Sequence, residues 1–152
     1  MIAARPLVLG LVLGLAGCSP EPTIIALELS GDASCTPERL GALASVSVEV
    51  YGDADGAPCT LARRCVTVDA PTELAEIEAT LRAAMQPIVD IELAGTRQIA
   101  VLGHTRLGCG EDDRRLCGFA DLADADDELL VPIRCDDADA TLCPLTVPPF
   151  CP

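Results

Sequence analysis

Residues 45–51 read Ser-Val-Ser-Val-Glu-Val-Tyr and decide the fold class, because apolar and polar side chains alternate strictly along them. Such alternation indicates a half-buried β-strand whose successive side chains point to opposite faces of a sheet. Val46, Val48 and Val50 would then face a hydrophobic core. Further strands are predicted at residues 23–29, 65–69, 98–103, 116–120 and 129–134. The chain is therefore expected to be mainly β.

One segment has helical periodicity instead. In residues 74–88, apolar side chains recur every three or four positions. Thr72 is a suitable N-cap, and Pro87 should end the helix at about Gln86. Three strands before this helix and three after it predict an antiparallel sheet or β-sandwich that carries one amphipathic helix. Pro132 predicts that the last strand lies at a sheet edge or at a bulge.

The composition argues against nucleic-acid binding. The 152 residues contain 24 acidic side chains and 10 arginines, which gives a formal net charge of −14. An acidic surface repels phosphate backbones, and only three aromatic side chains are present to stack on bases. No nucleic-acid partner is expected.

The cysteines indicate an oxidising compartment, because nine occur in this short chain. Eight of them form an even set that predicts a disulfide-stabilised domain with four bridges. These eight are Cys35, Cys59, Cys65, Cys109, Cys117, Cys135, Cys143 and Cys151. Short loops between predicted strands favour the pairs Cys59–Cys65 and Cys109–Cys117. The sequence has one histidine and no Cys-x-x-Cys, so it indicates neither a zinc site nor a thiol–disulfide oxidoreductase.

The remaining cysteine, Cys18, directly follows an N-terminal signal sequence. Arg5 precedes an apolar run that is too short to span a membrane, and the run leads into Leu15-Ala16-Gly17-Cys18. This ending resembles the lipobox of bacterial lipoproteins. The resemblance covers the first 18 residues and implies that acyl chains such as palmitate are attached to Cys18, with cleavage just before it.

The same resemblance implies a domain organisation and a location. Residues 1–17 would be the lipoprotein signal peptide, residues 18–22 the lipidated cysteine with a short Pro-rich tether, and residues 23–152 a single disulfide-rich β domain. An extended tether of this kind reaches roughly 12 Å, which keeps the domain close to the bilayer. The expected location is the bacterial cell envelope, and Ser19, in place of an aspartate, favours the outer membrane.

Motifs of common enzymes are missing from the sequence. It contains no Gly-x-Ser-x-Gly, no His-Glu-x-x-His and no phosphate-binding glycine loop. His104 can be imagined as a general base with Asp112 or Asp113. A histidine at a strand end that is bonded to backbone or solvent is the simpler interpretation. The chain is therefore expected not to be an enzyme.

Acidic loops provide an alternative hypothesis, in which calcium is bound. The candidate ligands are Asp121, Asp124, Asp126, Asp127 and Glu128. Their oxygen atoms are the ligands that calcium prefers, although a solvated acidic loop is the simpler interpretation and no cofactor is otherwise expected. Residues 53–56 lack the spacing of an EF-hand and are predicted to form a hairpin turn.

Two arginine pairs complete the candidate contacts. Arg63-Arg64 and Arg114-Arg115 lie beside cysteines and can meet acidic loops of the same domain or an anionic partner. The sequence as a whole predicts a non-catalytic binding or structural module, held at the membrane by its lipid and meeting an envelope protein as partner. The alternatives are a calcium-dependent binding module and an unrecognised envelope hydrolase.

Overall fold

The computed structural model describes residues 26–84, 96–122, 128–135 and 147–152. These residues form one six-stranded sheet with two α-helices and a short 3-10 helix at Glu111–Asp113. The strands are β1 (Ala26–Gly31), β2 (Ser45–Ala54), β3 (Ala57–Thr67), β4 (Thr96–His104), β5 (Arg114–Asp121) and β6 (Glu128–Arg134). The helices are α1 (Pro37–Gly41) and α2 (Leu74–Ala84).

The strand order is β1-β6-β5-β4-β2-β3. The chain is mainly β, as predicted, but the sheet is mixed, because β1 runs parallel to β6 whereas the other neighbours are antiparallel. Four of the five neighbouring strand pairs are antiparallel, as expected, and the alternative of a β-sandwich is not confirmed. β1 and β6 lie at opposite ends of the described chain, and local periodicity carries no information about the direction in which such strands pair.

The β2–β3 hairpin confirms the predicted turn. Asp55 and Gly56 join the strands with φ angles of 54° and 79°. A two-residue hairpin turn with both φ values positive matches the right-handed twist of the strands. β3 begins at Ala57, eight residues before the strand predicted at residues 65–69. It pairs with the whole length of β2, and the pairing continues on both sides of a register shift between Val50 and Tyr51.

The predicted disulfide pairs were wrong. Cys59 and Cys65 lie in the same strand, where six residues span roughly 20 Å, far beyond the reach of a disulfide. Cys117 lies inside β5 and is also disulfide-bonded. The observed bridges between described residues are Cys35–Cys135, Cys59–Cys151 and Cys65–Cys109, with Cα–Cα distances of 4.8, 5.0 and 6.0 Å. Cys143 lies outside the described residues.

Helix α2 confirms the helical periodicity, and its Ile77 and Leu81 are buried. It begins at Leu74, and Thr72 donates its backbone N–H to the Glu76 carboxylate, 2.7 Å away, rather than capping with its hydroxyl. The predicted helix end lies outside the described residues. Helix α1 was not predicted because it is only five residues long.

Both edges of the sheet are covered along part of their length. Outside β1, the Glu78 carboxylate of α2 accepts the Leu29 N–H at 3.1 Å, and Arg82 donates to the Leu27 carbonyl at 3.5 Å. Outside β3, Thr60 exchanges backbone hydrogen bonds with Pro149 (2.8 Å) and Cys151 (3.0 Å). Such covering prevents strand-to-strand association with other chains.

Pro132 does not mark an edge, since β6 lies between β1 and β5. The described β5–β6 ladder consists of Cys117↔Arg134 and Gly118↔Ile133 and stops before Pro132, which has no N–H to donate. The backbones of β5 and β6 approach each other closely here. A Cβ atom placed on Gly118 would lie only 2.6 Å from the Pro132 carbonyl oxygen.

The two faces of the sheet are different in character. The first face carries Val46, Val48 and Val50 and packs with Ile77 and Leu81 in the main hydrophobic core. The second face is the opposite one and combines polar side chains with a smaller hydrophobic cluster of Tyr51, Ala100, Leu102 and Cys117. It carries Ser45, Ser47, Glu49 and Tyr51 of β2 with Ala100, Leu102 and His104 of β4. All of these residues are buried, so β2 is buried on both faces rather than half-buried as expected.

Non-reducing tryptic peptide mapping tests the disulfide pattern. Trypsin cuts after Arg63 and Arg64, so Cys59 and Cys65 fall in different peptides. The peptide that carries Cys65 should be recovered linked to the one that carries Cys109. A reduced sample, in which the linked mass disappears, is the control. A link between the Cys59 and Cys65 peptides would contradict the fold described here.

Candidate functional site

The candidate site is a buried polar cluster on the second face, made of Ser47, Glu49, Tyr51, His104 and Asp113. Strand β2 supplies three of these residues at alternate positions, so their side chains share one face. Strand β4 ends in His104, and the 3-10 helix supplies Asp113. Each member has a relative exposure of 7% or less.

Glu49 is the buried acid of the cluster, and its two carboxylate oxygens have separate partners. The Arg63 Nε lies 3.0 Å from Oε1, since Arg63 is the register neighbour of Glu49 on β3. The Tyr51 hydroxyl donates to Oε2 at 2.6 Å. A buried charge is costly unless it is paired and hydrogen-bonded, and these contacts meet both conditions.

Burial raises the pKa of the Tyr51 hydroxyl far above its usual value of 10.0. Its hydrogen bond to the Glu49 carboxylate acts in the same direction, as does the negative charge of that group. The tyrosine is therefore held as a neutral hydrogen-bond donor, which is the form that the carboxylate requires.

His104 bridges β2 to the loop that follows β4. Its Nδ1 lies 2.7 Å from the Gly110 carbonyl oxygen and 3.4 Å from Asp113 Oδ1, and its Nε2 lies 3.2 Å from Ser47 Oγ. We assign the hydrogen to Nδ1, because a carbonyl can only accept. In the neutral ring, Nε2 then accepts from the Ser47 hydroxyl, whose other acceptor within reach is Glu49 Oε1 at 3.4 Å. Serine, histidine and carboxylate are thus in the order of contacts used by serine hydrolases.

The loop at residues 105–113 is fastened over this arrangement. Ser45 Oγ donates to the Arg106 carbonyl at 2.6 Å and accepts the Cys109 N–H at 3.2 Å. The backbone of Cys109 has a φ of 54°, a value that residues other than glycine rarely adopt. The disulfide of Cys109 to Cys65 connects the loop to β3. Thr105 closes the loop by donating its N–H to the Asp113 carbonyl at 3.1 Å.

The serine and histidine of this arrangement are buried. Ser47 is 0% exposed and His104 is 1% exposed, so no substrate reaches the serine oxygen in the described arrangement. The strongest contact of His104 is to the Gly110 backbone, as the simpler interpretation of this residue expected. Asp113 Oδ2 is buried and accepts no hydrogen bond from the described residues. The side chain of Asp112 lies outside the described part of the chain.

The predicted calcium ligands are described only in part. Asp121 ends β5 and Glu128 begins β6, and both are exposed. Asp124, Asp126 and Asp127 lie outside the described residues, as does the predicted lipidation site Cys18. In residues 26–84, 96–122, 128–135 and 147–152, no group of three His, Cys, Asp or Glu side chains gathers as metal ligands.

The arginine pairs have different surroundings. Arg63 meets the buried Glu49, and Arg64 donates to the Ala84 carbonyl at 2.7 Å. Arg115 donates from Nη1 to the Arg114 carbonyl at 2.8 Å, and together with Arg39 it lines an open pocket of about 270 Å³. The other described lining residues are Ala42, Thr105 and Cys135. Sequence reasoning missed this pocket because its walls come from four separate segments.

Comparisons with known proteins add no relative. The chain matches no protein-family model, and neither the curated proteins nor the solved structures give a match. Among the described residues, no helix combines the length and apolar character needed to cross a membrane.

Titration of Tyr51 tests the buried cluster directly, because it is the only tyrosine in the chain. The folded-state pKa is raised, so its contribution to stability is complete below pH 10 and is lost as the pH rises above that value. Absorbance at the wavelength of tyrosinate should therefore show Tyr51 un-ionised in the native protein at pH 10. In denaturant it should ionise near its ordinary pKa.

Glu49→Gln is the matched variant, since it keeps the side-chain shape and removes the charge. Tyr51 should then ionise at a lower pH than in the parent protein, because the carboxylate no longer favours the neutral hydroxyl. Native Tyr51 that ionises near pH 10 would show that the hydroxyl is solvated and that the cluster is open.

Proposed function

We propose that this chain is a lipid-anchored protein of the bacterial cell envelope, in the outer membrane, which acts as a non-catalytic binding or structural module. One observation supports the non-catalytic part most strongly. The only histidine is buried with a serine and a carboxylate under a loop that a disulfide fastens, so its hydrogen bonds are used within the protein.

The disulfides support a location outside the cytosol. Cys35–Cys135 and Cys59–Cys151 join residues 100 and 92 positions apart. Cross-links that close such long loops restrict the unfolded chain strongly, by about 4–5 kcal/mol each in the chain-entropy description. Stabilisation of this kind persists only where thiols are oxidised. The anchor itself is proposed from the lipobox that ends at Cys18.

The partners follow from charge and anchoring. The lipid would bind the membrane, and an envelope protein would be the macromolecular partner. The net charge of −14 repels nucleic acids, so no nucleic acid is proposed as a partner.

Calcium-dependent binding is a second candidate function. Asp121 and Glu128 are exposed and lie at the same end of the sheet, at the two ends of the acidic loop. A melting temperature that falls on chelation would support calcium binding by this loop, and a melting curve indifferent to calcium and chelator would remove it.

Crosslinking of the tagged full-length protein in its native envelope tests the proposal, followed by mass spectrometry of attached proteins. We expect a reproducible, near-stoichiometric envelope partner and an intact mass that includes acyl chains on Cys18. Cys18→Ser is the control, and it should lose both the acyl mass and the membrane location. A mature chain that begins at Cys18 without acyl mass would contradict the anchor.

A serine-directed fluorophosphonate probe tests the non-catalytic part. Ser47 should remain unlabelled, because its hydroxyl is buried. Labelling of the parent protein that disappears in Ser47→Ala would contradict a purely binding role.

A further inference from the structure

The pocket lined by Arg39 and Arg115 lies at the end of the sheet opposite Ala26, the first described residue. The described chain begins at Ala26, which pairs with Glu128 at the start of β6. The pocket residues lie beyond the other ends of the strands: Thr105 follows β4, and Cys135 follows β6. The six residues of β1 span roughly 20 Å, so the pocket is separated from Ala26 by about the length of a strand.

The wall of this pocket is held in place before any ligand arrives. Arg39 donates from Nη1 to the carbonyls of Ser34 (3.3 Å) and Cys135 (3.2 Å). Cys135 in turn donates its N–H to Ser34 Oγ at 2.9 Å, and its sulfur is bonded to Cys35. A guanidinium that is oriented in this way loses little conformational freedom on binding a ligand.

The described lining offers hydrogen-bond donors and positive charge. Arg39, Arg115 and Thr105 are among the lining residues, and each has a side chain that can donate hydrogen bonds. A guanidinium has five N–H donors in a planar fork that matches the geometry of carboxylate and phosphate. Acidic side chains outnumber arginines by 24 to 10 in the whole chain, yet both charged residues described in this lining are arginines.

Both ends of the sheet carry exposed carboxylates. Asp53, Asp55, Asp121 and Glu128 lie at the end opposite the pocket, and Asp32 and Glu111 lie at the pocket end. Asp32 interacts electrostatically with Arg39, so an anion in the pocket would share Arg39 with this carboxylate.

We infer that this pocket is a binding site for an oxyanion group, the carboxylate or phosphate of a small ligand. The inference deepens the proposed binding function and rests on it. The volume of about 270 Å³ is just below the range of pockets for drug-sized ligands, so it suits an anionic group of few atoms.

Isothermal titration of the full-length protein in non-ionic detergent micelles tests this inference, with inorganic phosphate and succinate as separate probes at constant ionic strength. We expect saturable binding of at least one probe at one site per chain. Binding of phosphate alone identifies a phosphate ligand, and binding of succinate alone identifies a carboxylate ligand. Failure of both probes to bind would overturn the inference.

Variants locate the binding. Arg115→Gln and Arg39→Gln should each weaken the bound probe by about ten-fold or more, because each removes charge-assisted hydrogen bonds. Arg106→Gln is the matched control, since Arg106 is exposed beside Thr105 but does not line the pocket. An equal loss in Arg106→Gln would show only general attraction by positive charge and would overturn the site.

Two readouts keep the outcomes separate. Tyr51 that remains un-ionised at pH 10 in each variant shows that the fold is intact, so weaker binding cannot be attributed to unfolding. Binding in micelles does not depend on acyl chains, whereas the intact mass reports them. If the protein carries acyl chains on Cys18 but binds neither anion, this inference alone is overturned. If the protein binds an anion but lacks the acyl mass, the proposed anchor alone is overturned.

Discussion

Burial of both faces of β2 is the constraint on which the rest of the structure depends. On the first face, Val46 and Val48 join the core beneath α2, and hydrophobic burial stabilises them without further requirements. On the second face, Glu49 is 1% exposed and cannot rely on water. The carboxylate therefore requires Arg63 beside it on β3 and a neutral Tyr51 beside it on β2.

The polar side chains of the second face also hold the loop at residues 105–113 in place. His104 directs one ring nitrogen to Ser47 and the other to Gly110, which connects the loop to the strand beneath it. The Cys65–Cys109 disulfide connects the same loop covalently to β3, the strand next to β2. The result has the atom order of a hydrolase site but is closed to substrate, so the binding role proposed for the molecule is assigned to the open arginine pocket at one end of the sheet.

Local features of the fold could be predicted from the sequence, because they depend on neighbouring residues. Alternation in residues 45–51 located β2, and Asp55-Gly56 located the hairpin turn. The parallel β1–β6 pairing and the disulfide partners could not be predicted, since both join segments far apart in sequence. The contact of His104 with Asp113 was considered from the sequence and is present, whereas the burial of Glu49 was missed. Alternation assigns Glu49 to a face of the sheet but carries no information about what covers that face.

A double-mutant cycle on Glu49 and Arg63, measured by urea unfolding with the disulfides intact, tests the account most directly. Glu49→Gln and Arg63→Gln should each destabilise the protein, and the double variant should lose less than the sum, with a coupling free energy of about 1–3 kcal/mol. Arg64→Gln is the matched control, because Arg64 is exposed and donates to the Ala84 carbonyl instead; it should be additive with Glu49→Gln. Losses for the Glu49 and Arg63 variants that add within about 0.3–0.5 kcal/mol would show that the carboxylate does not depend on its partner and would contradict the account.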